Sequence, residues 1–175
     1  VRHVSDGFLL QLAEISAGLI GLFLGGVFFY VERRDGRSDP AVDRYFRASA
    51  RIVLVLYAIP IGLSLSLVAL TPVASRLVFV ALSAALVAAN VDSATHVRTV
   101  AGLTGSRLLP ITELVGTVLV AATIALPWLL GGLHPGRRDL TWAILLAFAT
   151  GFLSVYAIVL TTFDLPRPTP TSAPG

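Results

Sequence analysis

Residues 7–31 read GFLLQLAEISAGLIGLFLGGVFFYV and hold a single charge, Glu14. At 1.5 Å per residue a helix of this length crosses the roughly 30 Å hydrocarbon core of a bilayer. A carboxylate in hydrocarbon is costly unless it has a buried partner, a proton or water. Glu14 therefore predicts that one face of this helix turns away from lipid.

The rest of the chain fits that solvent. Of 175 residues, 55% are hydrophobic and 13% charged, with a mean hydropathy of +0.84. Soluble domains carry roughly 25% charged residues. Cysteine is absent, which excludes disulfides, thiolate metal sites and thiol redox chemistry. All thirteen basic residues are Arg, which excludes Schiff-base lysine and P-loop chemistry. With the abundance of Ala, Val, Leu, Gly and Pro, this composition suggests a GC-rich, bacterial genome. The pI near 10 reads as topology and anionic-lipid contact rather than nucleic-acid binding, because the Arg residues lack aromatic interleaving.

Outward from the first span, four more apolar windows qualify, at about 52–70, 77–97, 108–133 and 140–163. The expectation is an all-α polytopic bundle of five transmembrane helices, one domain over 1–165. The third window is the weakest, since Asn90, Asp92, Ser93, Thr95 and His96 crowd its end. The first span reads as a retained helix rather than a cleaved signal. It ends in Phe28, Phe29 and Tyr30, an interfacial aromatic belt, and lacks a small-residue cleavage site. With the N-terminus outside, nine Arg fall on inner segments and four on outer ones, which favours N-out/C-in in the inner (plasma) membrane.

Ser38, Asp39 and Pro40 read as a helix start, and residues 40–51 as a basic interfacial helix that runs straight into the second span. Arg33, Arg34, Arg37, Arg44, Arg47 and Arg51 are its candidates for anionic headgroups. Residues 166–175 form a Pro-rich tail expected to be disordered. Pro60 is expected to kink the second span and Pro127 to break the fourth near its outer end. Trp128 and Trp142 read as interfacial anchors.

Gly7, Gln11, Glu14, Gly18, Gly21 and Gly25 recur at spacings of four and three, one continuous helix stripe. Gly21 and Gly25 make a GxxxG, which lets helix backbones approach closely in lipid. The stripe packs either on a neighbouring span of the same chain or on a second copy. Weaker small-residue seams run through Ala58, Gly62 and Ser66, through Ala81, Ala85 and Ala88, and through Ala147, Gly151 and Ser154.

Two polar clusters carry candidate chemistry. Gln11 and Glu14 form an outer one, a proton or cation site or a structural carboxylate, with Arg76, His134, Arg137 and Arg138 as outer partners. Asn90, Asp92, Ser93, His96, Thr112 and Glu113 form an inner one. Asp92, His96 and Glu113 read either as a divalent-cation site or proton relay, or as an interfacial ion pair with Arg98 or Arg107. No nucleophile motif, cofactor motif or committed metal site emerges. Length and span count are similar to those of the translocator-protein family, but that family's Trp- and Pro-containing signature is absent, so no residue role follows. The leading expectation is a homo-oligomeric channel or an ion- or proton-coupled transporter. The alternatives are an accessory or scaffold subunit of a membrane complex, and a lipid-handling membrane enzyme.

Overall fold

The computed structural model describes residues 4–32, 40–104 and 108–164, with side chains described except at 30–32, 40–43, 45, 96–104, 108–110, 112 and 160–164. It is all helical: α1 (Asp6–Glu32), α2 (Pro40–Ala69), α3 (Pro72–Thr104), α4 (Leu108–Gly131) and α5 (Arg137–Asp164). Each contains a segment long and apolar enough to cross a membrane.

Helix starts follow local chemistry. The Ser5 hydroxyl accepts from the Phe8 amide and caps α1. Thr71 does the same for Ala74, with Pro72 opening α3. Asp139 reaches back to accept from the Gly136 amide at 2.9 Å, which fixes the start of α5. Gly132, with φ 61°, is the left-handed residue that ends α4.

α2, α3, α4 and α5 touch in a closed ring, α2 against α3, α3 against α4, α4 against α5 and α5 against α2. α1 stands outside that ring and leans on α2. α2 is accordingly the centre, with half of its spanning residues buried against 17% for α1. The core comprises Leu56, Ile59 and Leu63 of α2, Phe79 and Leu86 of α3, Val120 of α4, and Leu140, Ile144 and Ala147 of α5, with Leu9 and Leu12 of α1 reaching in. All ten buried polar residues among those described are Ser or Thr. Several return their hydroxyls to backbone carbonyls, as Ser66 to Leu63 and Thr123 to Leu119, which makes them tolerable without water. Ser75 donates instead across the helix pair to the Ser66 carbonyl at 2.9 Å.

Several sequence expectations change here. Residues 40–51 do run straight into the second span, as the first turns of α2; the changes lie elsewhere. α2 runs on through Pro60 and α4 through Pro127 to Gly131, so Pro127 does not break its helix. In a tight bundle neighbouring groups re-satisfy the carbonyl that proline frees. α3 continues past the polar residues at 90–96. Its seam at Ala81, Ala85 and Ala88 is exposed, and its buried stripe is instead Ser75, Phe79, Ser83, Leu86 and Ser93. Trp128 does not stand out as an anchor but packs its ring on Phe79, centroids 6.2 Å apart. Trp142 is exposed. The tail at 166–175 and Arg33, Arg34 and Arg37 lie outside the described residues.

Candidate functional site

The small-residue positions divide into two groups. A Cβ at Gly62 would meet Leu82 of α3 at 3.2 Å, and one at Gly151 would meet the Tyr57 ring of α2 at 3.1 Å, so both mark helix crossings. Gly7, Gly18, Gly21 and Gly25 meet nothing within 4 Å. Gln11 and Glu14 on the same stripe are exposed, and the face of α1 that packs inward is Leu9, Leu12, Ala13 and Ser16. The expectation that the stripe packs within the chain is therefore not met. α1 turns its apolar stripe to α2, and Ser16, the one polar residue off the stripe, is the one that is buried.

The basic residues considered for Glu14 are engaged elsewhere. Arg76 donates from Nε to the Pro135 carbonyl at 3.2 Å, and its Nη1 lies 3.2 Å from His134 Nδ1. Arg137 pairs with Asp6, tying the start of α5 to the start of α1. Arg138 is exposed.

At the other end of the bundle the inner cluster divides. Asp92 faces α2 and pairs with Arg51 at 3.2 Å, both partly exposed. The sequence reading had looked to Arg98 or Arg107, whose side chains lie outside the described residues, as do those of His96 and Thr112. Arg44, Arg47 and Arg51 are exposed on the first turns of α2. An exposed ion pair is worth about 0.2–1 kcal/mol. A double-mutant cycle on Arg51→Ala and Asp92→Ala, read by thermal unfolding in detergent, is expected to return a coupling in that range. A coupling near zero would mean that the pair does not hold α2 to α3.

Asn90, Ser93 and Glu113 face the interior of the ring and line a cleft of about 270 Å³. Thr117 of α4, Ser49 of α2, and Thr150 and Ser154 of α5 complete its polar wall, with Tyr156 at its exposed edge. Asn90 Nδ2 donates to Thr117 Oγ1 at 3.4 Å. The Ser93 hydroxyl lies beside the Glu113 carboxyl, yet neither Ser93 Oγ nor Glu113 Oε1 makes a hydrogen bond, and Thr150 Oγ1 makes none either. Among the described residues Glu113 is the only carboxylate in the lining, and no Arg or His joins it. The remaining wall is apolar, with Ile52, Leu119 and Val120 at depth. Among the described residues no three His, Asp or Glu side chains come together; the grouping of Asp92, His96 and Glu113 turns on the His96 side chain, which lies outside them.

Sequence reasoning found Asn90, Ser93 and Glu113 but missed Thr117, Thr150 and the cleft role of Ser49 and Ser154. A signal existed: Glu113 and Thr117, like Thr150 and Ser154, are four apart and share a helix face.

A second cleft of about 450 Å³ opens where α1 leans away from α2 and α5. Leu19, Phe23 and Val27 of α1, Tyr57 of α2, and Phe152 and Val155 of α5 line it, and among the described residues no charged one does. Comparison of the chain with protein families, with curated proteins and with solved structures gives no match.

Proposed function

We propose that this chain is a small multi-pass membrane protein, N-out/C-in in the inner (plasma) membrane, that moves a cation or proton and works as a homo-oligomer. The observation that carries the reading is Glu113, among the described residues the one carboxylate in a hydroxyl-lined cleft inside a largely apolar ring. Ionisable residues in spanning segments are costly and mark solute or proton pathways. The core of Phe79, Leu86, Leu140 and Ile144 fills the ring toward the Asp6 end. A transporter that opens alternately suits a cleft with a filled far end better than a permanently open pore does.

Flux in proteoliposomes tests this. Wild-type protein is expected to dissipate an imposed proton or cation gradient, and Glu113→Gln to reduce that flux by at least about tenfold, the scale on which one lost charge-assisted hydrogen bond acts. No flux above empty liposomes, or equal flux in both proteins, sinks the reading.

A second reading, an accessory or scaffold subunit, is favoured by one observation, the outward stripe of Gln11, Glu14, Gly18, Gly21 and Gly25 with nothing of its own chain against it. It predicts a partner that co-purifies and is lost when the stripe is altered, with Glu113→Gln harmless.

A further inference from the structure

Resting on the reading of the Glu113 cleft as a transport site, we propose that its ligand is a membrane-soluble primary ammonium ion that enters sideways between α4 and α5. The charge of the ligand follows from the wall. Among the described residues Glu113 is its single carboxylate and no cationic residue lines it, so one positive charge is complemented and a second is not.

The shape of the ligand's head follows from the oxygens. Ser93 is 0% and Thr150 2% exposed, and the hydroxyl of each lacks a partner, as does Glu113 Oε1. Asn90 has its amide nitrogen committed to Thr117, which leaves its carbonyl oxygen as an acceptor. An ammonium group brings three donors and no acceptor, the complement of such a wall. A divalent metal fits poorly, since hard cations take six to eight oxygens, usually with several carboxylates, and no such cluster forms among the described residues.

The remainder of the ligand is set by the rim. Ile111 and Val115 of α4 and Leu153 of α5 line the cleft and are also exposed, at 57%, 44% and 47%. Those residues lie in or beside the apolar spans of their helices. The mouth therefore faces the bilayer, and a ligand with an alkyl body reaches Glu113 without crossing water. A polar end at depth and an apolar rim match an amphiphile better than a hydrated inorganic ion.

Equilibrium dialysis of labelled octylammonium against the full chain in nanodiscs, with empty nanodiscs subtracted, tests this. A saturable site is expected, about tenfold or more weaker in Glu113→Gln and several-fold weaker in Thr150→Val, a shape-conserving change that keeps the fold if the first variant does not. Octyltrimethylammonium, which carries the charge but no N–H donor, is expected to compete at least about tenfold less well. Binding no better than to empty nanodiscs overturns the proposal. So does equal competition by the trimethyl compound, or an affinity unchanged in both variants. Proton flux that depends on Glu113, together with absent octylammonium binding, removes this ligand and leaves the transport reading standing. Absent flux together with absent binding removes both.

Discussion

Gly151→Leu is expected to abolish the folded bundle, while Gly21→Leu leaves it intact. The two glycines look alike in sequence, each in a small-residue row on an apolar helix. At Gly151 a bare Cβ already lies 3.1 and 3.2 Å from Tyr57 ring atoms and 3.5 Å from Leu56 Cβ. The Tyr57 ring is braced edge-on against Phe148, centroids 6.2 Å apart and planes at 78°. Its other side borders the 450 Å³ cleft, so it can give by the few tenths of an ångström that alanine needs. Gly151→Ala should therefore lower stability by only about 1 kcal/mol, and leucine by about 3 kcal/mol or more, because overpacking then meets Leu56 Cβ as well as the ring. α2 and α5 must part, and α2 is the centre of the fold. At Gly21 nothing lies within 4 Å. Thermal unfolding in detergent, followed by the monodisperse fraction, checks the pair. Equal losses at the two sites would mean that the α2–α5 crossing is wrongly placed. A selective loss of oligomer in Gly21→Leu, with the chain still folded, would show a second helix seated on the stripe.

The second large effect is at Glu14. It lies about 12 Å along α1 from Asp6, exposed, with no hydrogen bond or ion pair described for it. An acidic residue near the middle of a spanning helix opposes insertion by roughly 2.5–3.5 kcal/mol, whereas leucine favours it by about 0.3–0.6. Glu14→Leu is expected to shift insertion of α1 by about 2–3 kcal/mol in favour, somewhat below the full difference because the residue is off-centre. A glycosylation reporter placed after α1 in the full chain measures the inserted fraction. An unchanged fraction would mean that Glu14 already has a companion, or water, where a single chain offers neither. A carboxylate kept at that cost is the best reason for placing a second helix on the stripe, and the proposed homo-oligomer supplies one.

The five spans were legible because length and hydropathy decide them. The helix starts were partly legible, with Pro40 read as the opening of α2 and the pairing of Asp139 with Gly136 not. What escaped was the direction in which each helix faces. In water a polar stripe marks the outside, but in lipid both the packed and the unpacked faces are apolar. Spacing alone therefore gave Gly62, Gly151 and Gly21 the same meaning, and contacts divide them. It also put Ala81, Ala85 and Ala88 at a seam, when the bulkier Phe79 and Leu86 fill the interior. Glu113 drew attention because it is charged. Thr117 and Thr150 did not, since hydroxyl residues are scattered through these helices and only their shared depth unites them. One companion of Asp92 lies forty-one positions earlier, at Arg51, and the two nearer in sequence, Arg98 and Arg107, lie outside the described side chains.

Among the described residues one end of the bundle holds several fastenings between helices. Arg76 clamps the α4–α5 turn through Pro135 and His134, Arg137 grips Asp6, and Phe79 meets Trp128 close by. The notch at Glu113 is at the other end, where Arg51 pairs with Asp92 and Asn90 with Thr117. The two helices that flank the notch, α4 and α5, are joined by the turn that Arg76 holds. Whatever spreads them at the notch is levered against that turn, so trimming Arg76 should loosen the grip of a site that it never touches.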